Sequence, residues 1–190
     1  MENVTNVPTA AQQPAARKKN NIVIYYWGNG KGKTTAALGL ALRASGYKKK
    51  ILFAQFIKGD WKTGEDVALS RINYLVHKKF GLGFVYKTDD KARTDKHKKA
   101  VLRGLNFILD NYKKYDIIIL DELANAVNLG LIDIKKIILA VSITRNKCTV
   151  VITGRPLIKE LAESSDLITE MKKIIHPFDN GVTAIESIDW

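Results

Sequence analysis

Cysteine is almost missing from this chain. The single Cys148 among 190 residues excludes an internal disulfide and any multi-cysteine metal site. It lies in the apolar segment Cys148 to Thr153 and reads as a buried structural thiol. No apolar run approaches the ~18 residues that a transmembrane helix needs. Residues Met1 to Asn21 lack the charged start and apolar centre of a secretory signal, so the cytoplasm is the expected location. Histidine is scarce as well: His77 and His97 sit among lysines and read as surface residues, and His176 precedes the turn signal Pro177-Phe178-Asp179-Asn180-Gly181. None of the three belongs to an evident catalytic triad or metal spacing. Acidic residues are outnumbered 19 to 31, which leaves a formal net charge of +12. A basic surface suits nucleic acid, an acidic membrane or an anionic substrate. The lysines are scattered, however, from Lys48–Lys50 to Lys172-Lys173, and no known nucleic-acid module accompanies them. A solvated surface is the better reading, and neither nucleic acid nor membrane is an expected partner.

What the chain does have is Gly28-Asn29-Gly30-Lys31-Gly32-Lys33-Thr34-Thr35. The run follows an apolar β-like segment, Ile22 to Trp27, and opens an Ala/Leu-rich helical one, Thr35 to Ala44. Strand, glycine-rich turn and helix, in that order, are the context of a phosphate-binding loop. Glycines let successive backbone N–H groups converge on one point, and the helix start adds unpaired N–H groups and the positive end of the dipole. Lys33 supplies a point charge for phosphate oxygens, and the Thr34 hydroxyl is suited to a phosphate-bound Mg²⁺. The usual loop has four residues between its first glycine and the Gly-Lys pair; here Gly28 is followed by three, and Trp27 stands in the usual glycine's place. This variant loop predicts a nucleoside triphosphate without by itself predicting γ-phosphate hydrolysis.

The length suits one domain with a single core, and the 46% apolar fraction is ordinary for a globular protein. The predicted division is a flexible N-terminal arm over 1–21 and one domain over 22–190. Further strands are predicted at Ile51 to Phe56, Asn73 to His77, Asp116 to Glu122, Cys148 to Thr153, Asp166 to Met171 and Val182 to Ile188. Helices are predicted at Lys91 to Tyr112, Ile132 to Ile143 and Leu157 to Ser164, the first from its apolar stripe at Val101, Leu105, Ile108 and Tyr112. Phe80 to Asp90 reads as irregular. Alternating strands and helices imply an α/β fold of the P-loop NTPase, RecA-like kind: a mainly parallel sheet with helices on both faces. Ligands in such folds sit at the carboxyl ends of the strands, where Gly28, Gln55, Asp121 and Gly154 all fall.

Asp121-Glu122, closing the apolar run Ile117 to Leu120, has the character of a Walker-B pair that holds Mg²⁺ directly or through water. The candidate metal set is Thr34, Asp121 and Glu122. The candidate catalytic set is Lys33, Thr34 and Glu122. No general base for a hydroxyl substrate is evident beyond the two carboxylates.

Six stretches together resemble the ATP:cob(I)alamin (corrinoid) adenosyltransferases of the CobA/BtuR type: GNGKGKTTAALGLALRASG (Gly28 to Gly46), QFIKG (Gln55 to Gly59), GFVYKT (Gly83 to Thr88), LDEL (Leu120 to Leu123), ITGR (Ile152 to Arg155) and HPFDNGV (His176 to Val182). The resemblance runs from about Asn21 to Trp190. It implies transfer of the 5′-deoxyadenosyl group of ATP to the cobalt of a reduced corrinoid, cob(I)alamin, with triphosphate as leaving group and ATP reversed on the loop relative to ordinary P-loop enzymes. It assigns ATP to Gly28, Asn29, Gly30, Lys31, Gly32, Lys33, Thr34, Thr35 and Arg155. It assigns the corrin's lower face to Phe84 and Tyr86, the latter in place of the family's usual tryptophan. It further implies Mg²⁺, a homodimer with the N-terminal arm near the active site, and an external electron donor such as a flavoprotein. The phosphate motifs alone leave two alternatives, a P-loop kinase of a small metabolite and a RecA-like nucleic-acid-binding ATPase.

Overall fold

The computed structural model describes residues 21–83, 85 and 91–188. The predicted arm up to residue 20 and the predicted corrin-facing Phe84 and Tyr86 lie outside the described residues. Six strands, β1 (Val23–Trp27), β2 (Ile51–Gln55), β3 (Leu75–Lys79), β4 (Ile117–Asp121), β5 (Thr149–Gly154) and β6 (Leu167–Glu170), form one sheet in the order β3-β2-β4-β5-β1-β6. Every pairing is parallel. The helices are α1 (Lys33–Gly46), α2 (Gly64–Ser70), α3 (Lys91–Asn111), α4 (Leu123–Asn128), α5 (Ile134–Thr144) and α6 (Lys159–Glu163). This is the doubly covered α/β architecture that the alternating pattern predicts. Among the described residues no helix is long and apolar enough to cross a membrane.

Strand periodicity divides the core into two layers. On one face Ile24, Ile51, Phe53, Ile119 and Val151 pack against Ala37, Ala41 and Ala44 of α1, whose small side chains bring the helix close to the sheet. On the other, Val23, Tyr25, Leu52, Ala54, Ile118, Leu120, Val150 and Ile152 pack with Val101, Leu105 and Ile108 of α3 and Ile137, Ala140 and Val141 of α5. Burying such side chains contributes on the order of 1.5–3 kcal/mol each, which explains why the central strands are apolar on both faces. Cys148 is fully buried as predicted; its Sγ–H donates to the Tyr112 and Tyr115 carbonyls at 3.0 and 3.2 Å, and burial pushes the thiol up to about 11.

Three predictions need correction. Val182 to Ile188 is not a strand: after β6 the chain leaves the sheet, makes a 3₁₀ turn at Pro177–Asn180, and runs on exposed and irregular, Gly181 at φ 78° turning it away. His97 is not a surface residue; it is buried on the inward stripe of α3, four residues before Val101. Nor does His77 stand free among lysines, since its ring is half-buried and hydrogen-bonded to Gln55. Two short helices, α2 and α4, escape the sequence pattern. With seven residues and only Leu69 buried, α2 carries almost no 3.6-residue signal; its start is held by the Thr63 N–H donating to Asp66 Oδ2 at 2.8 Å.

Candidate active site

On the α1 face, β2, β4 and β5 end in polar side chains where the apolar alternation would put another core residue: Ile51, Phe53, Gln55; Ile117, Ile119, Asp121; Val151, Thr153. This row lies at the carboxyl edge of the sheet, beside the start of α1. Asp121 is completely buried, and its carboxylate is fully engaged. Oδ1 accepts from Thr34 Oγ1 at 2.9 Å and from Thr153 Oγ1 at 2.8 Å, while Oδ2 accepts from Gln55 Nε2 at 3.0 Å. Charge-assisted bonds of this kind are the strong ones, and they bind the first turn of α1 to three strands.

The loop between β1 and α1 is gripped from outside by the chain leaving β6. Met171 N–H continues the ladder to the Trp27 carbonyl at 2.8 Å, and Met171 O then takes the Gly30 N–H at 2.7 Å. The Lys173 N–H donates to Asn29 Oδ1 at 2.9 Å. Glycine is required at this approach. Gly28 has φ 122° and a Cβ there would strike the Met171 backbone, whereas a Cβ on Gly30 would lie 2.7 Å from Met171 O. Lys33 Nζ folds back onto the loop and donates to the Gly28 and Gly30 carbonyls, each at 2.7 Å. Burial holds this ammonium below its ordinary pKa, Arg155 adds to the effect, and Glu122 and Asp121 oppose it.

Above the loop is a cavity of about 660 Å³, within the range of small-molecule sites. Its walls include loop residues 29–35, Lys58, Glu65, Glu122 and Arg155. The first-turn amides of α1 have no intrahelical carbonyl to bond, so the helix start is a ready anion site. Glu122 enters the wall through a left-handed backbone, φ 59° and ψ 21°, held by its N–H donating to Thr153 Oγ1 at 2.9 Å. Burial and the adjacent Asp121 push its carboxyl up to about 7, against the pull of Lys58, Arg155 and Lys33. A concave, cationic, glycine-lined pocket with Glu122 in its wall and Asp121 buried behind Thr34 suits a polyphosphate with a cation.

A sequence model of the family described as ATP:corrinoid adenosyltransferase BtuR/CobO/CobP matches residues 19–190. The chain belongs to that family. The corrinoid adenosyltransferase of Escherichia coli (strain K12) is 34% identical over 167 residues, covering 87% of this chain and 83% of the relative. Corrinoid adenosyltransferase CobA of Salmonella typhimurium is 34% identical over 168 residues, with the same coverage of each. The corrinoid adenosyltransferase of Pseudomonas aeruginosa is 30% identical over 167 residues, covering 86% and 80%. Among solved structures, the flagellar accessory protein FlaH from Methanocaldococcus jannaschii superimposes with a TM-score of 0.49 at 13% identity, covering 78% of this chain and 70% of that one. Membership in the adenosyltransferase family sets aside the small-metabolite kinase and the nucleic-acid-binding ATPase.

In this family member the sequence-predicted residues fall in two groups. Asn29 to Thr35, Glu122 and Arg155 line one cavity, with Asp121 directly behind Thr34 and Gly28, outside the lining, accepting from Lys33. Phe84 and Tyr86 belong to the stretch outside the described residues. Sequence reasoning gave no role to Thr153, Lys58, Glu65, Asn125 or His176. All five line the cavity, and Asn125 Oδ1 accepts the Arg155 N–H at 2.7 Å. Thr153 and Lys58 lie inside the ITGR and QFIKG stretches, and Thr153 was readable as a polar residue ending an alternating apolar strand. Glu65 and Asn125 sit on the two short helices that the pattern did not reveal.

Proposed function

We propose that this chain transfers the 5′-deoxyadenosyl group of ATP to the cobalt of a reduced corrinoid, with cob(I)alamin giving adenosylcobalamin and triphosphate. Family membership over residues 19–190 supports the reaction class, and the observation that carries the reading is the cavity joining the short glycine loop to Glu122 and Arg155. The bond balance suits such a site. The Co(I) electron pair forms the Co–C5′ bond, the C5′–O bond breaks, and its pair leaves with triphosphate. No proton has to be removed, so the reaction asks no general base of the site. The work left to the protein is positioning and stabilisation of growing charge on the leaving group.

Lys33, Arg155 and the amides at the start of α1 are the groups we assign to triphosphate. Among the described residues Lys33 Nζ donates to two loop carbonyls, and phosphate oxygens are the stronger acceptors for it. The donor set fits Mg²⁺, a hard cation that takes few protein oxygens. Thr34 and Glu122 line the cavity, and a Glu122 carboxyl raised to about 7 beside Asp121 is relieved by a nearby cation. Asp121, with both oxygens already engaged, would act by holding Thr34 or through water. When bound, Mg²⁺ would neutralise charge on the departing triphosphate.

Phe84 and Tyr86 are assigned to the corrin's lower face on the resemblance of GFVYKT. The same resemblance underlies a homodimer and an external electron donor such as a flavoprotein for Co(II) reduction, whereas a cytoplasmic location and the division into an arm over 1–21 and a domain over 22–190 rest on the make-up of the sequence itself. The deciding experiment is anaerobic incubation with ATP, Mg²⁺ and reduced cobalamin. The expected result is a light-sensitive alkylcobalamin with one triphosphate released per product. ADP and phosphate without alkylcobalamin would overturn the assignment.

A further inference from the structure

We propose that His77 and Gln55 are positioning residues for the active site: the His77 Nε2–H holds the Gln55 carboxamide in the one orientation that donates to Asp121, and so fixes the carboxylate that anchors Thr34. The inference rests on the reading of Asp121 as part of the triphosphate and cation site.

The orientation follows from what each group can give or take. An ionised Asp121 carboxylate only accepts, so the Gln55 atom 3.0 Å from Oδ2 is its NH₂ nitrogen. The other end of the same carboxamide, Oε1, then lies 2.8 Å from His77 Nε2 and only accepts. Nε2 must therefore carry a hydrogen. Gln55 is 1% exposed and Asp121 is 0% exposed, so a flipped amide would set buried oxygen against buried oxygen, away from bulk solvent. Strand register supplies the alignment: Gln55 pairs with Asp121 across β2 and β4, and His77 pairs with Phe53 across β3 and β2. The His77 ring stands edge-on to Phe53, with centroids 5.4 Å apart, which holds its plane.

The bond to Gln55 is available in both charge states of the ring, and only the far side changes with protonation. Nδ1 lies 3.4 Å from Asp66 Oδ1. Asp66 Oδ2 is taken by Lys79 Nζ at 2.7 Å and by the Thr63 N–H at 2.8 Å. The charges facing His77 are Asp66 and Glu65 from α2, Lys58 from the β2–α2 connection and Lys79 from its own strand; burial, the largest influence, lowers the pKa of the ring. In the imidazolium both nitrogens donate, Nδ1 toward Asp66. In the neutral ring with hydrogen on Nε2, the bond to Gln55 is unchanged and the bond from Nδ1 to Asp66 is lost. Loss of the ring should therefore disturb the site, whereas its titration should leave the Gln55 orientation in place. The chain Asp66–His77–Gln55–Asp121 also ties the start of α2, whose Glu65 lines the cavity, to the carboxylate beneath Thr34.

Two measurements test the proposal. The first is ¹⁵N NMR of the His77 ring in the whole, ligand-free protein, titrated from about pH 5.5 to 8.5, the range over which imidazoles change charge. Nε2 should stay protonated throughout while Nδ1 alone titrates; a neutral ring with its hydrogen on Nδ1 overturns the proposal. The second compares His77→Phe, His77→Gln and Asp121→Asn for the Mg²⁺ concentration giving half-maximal adenosylation. Loss of an outer-sphere partner typically costs ~10–100-fold in metal affinity or activity. His77→Phe should shift the Mg²⁺ requirement by about that range, and His77→Gln, which keeps an N–H donor, should recover most of it. Wild-type Mg²⁺ dependence in a folded His77→Phe protein, with Asp121→Asn impaired, overturns the relay. Unchanged dependence in Asp121→Asn as well shows instead that the cation reading has failed. In that case, or if His77→Phe does not fold, the ring-nitrogen titration of the wild-type protein decides for or against the relay.

Discussion

Thr153→Val replaces one branched side chain by another of nearly the same shape and removes only a hydroxyl. That hydroxyl is 1% exposed as part of Thr153, donates to Asp121 Oδ1 at 2.8 Å and accepts the Glu122 N–H at 2.9 Å. Valine suits a β-strand at least as well as threonine, so backbone propensity does not oppose the change. Leaving the Glu122 N–H without its partner costs about 1–3 kcal/mol, and a hydrogen bond to a charged acceptor is worth about 1.5–3 kcal/mol. Asp121 keeps its donors from Thr34 and Gln55, so the second loss belongs at the low end. The expected destabilisation is about 2–4 kcal/mol. For a chain of this size that lowers Tm by about 5–15 °C. Urea unfolding of the wild type and of Thr153→Val and Thr153→Ser, with equal m-values, measures it. Serine keeps the oxygen and loses one methyl, so its cost should be about 1 kcal/mol. Activity of the valine variant should also fall, because the bond it loses holds Glu122 at φ 59° in the cavity wall. A valine variant within about 0.5 kcal/mol of wild type, or a serine variant equally damaged, refutes the reasoning.

Three further outcomes are expected. Lys33→Ala should lower adenosylation by ~10²–10³-fold, the usual loss for a donor aimed at developing charge, and turnover within twofold of wild type would refute its assignment to triphosphate. Gly30→Ala should reduce ATP binding and turnover together, because its Cβ would lie 2.7 Å from Met171 O and push the loop off its clamp; unaltered ATP affinity by calorimetry would show that the clamp does not shape the site. In Mg²⁺-free buffer, the Glu122 carboxyl, raised from 4.5 to about 7, keeps its proton longer in the folded state than in the unfolded chain. Its contribution to stability is therefore fully present below about pH 4.5 and is lost as pH rises through about 7. Glu122→Gln should flatten that decline in denaturation measured across the window, and an unchanged slope would count against the shift.

The features legible in the sequence were those encoded between near neighbours. β1, the glycine loop and α1 are contiguous, and their order alone locates the candidate phosphate loop. The parallel sheet was readable because strands buried on both faces are apolar runs, as Ile117 to Leu120 is. Asp121 announced itself by ending such a run. The tertiary structure decided which of these residues touch. Thr34 meets Asp121 across 87 positions, Gln55 meets it across 66, and the Lys173 amide reaches Asn29 across 144. No local pattern carries those pairings, because strand order and register are set by packing of the whole sheet. His77 shows the difference most plainly. Beside lysines in sequence it reads as solvated, yet the register of β3 on β2 sets it against Phe53 and within hydrogen-bond reach of Gln55, two side chains from the carboxylate that anchors the loop.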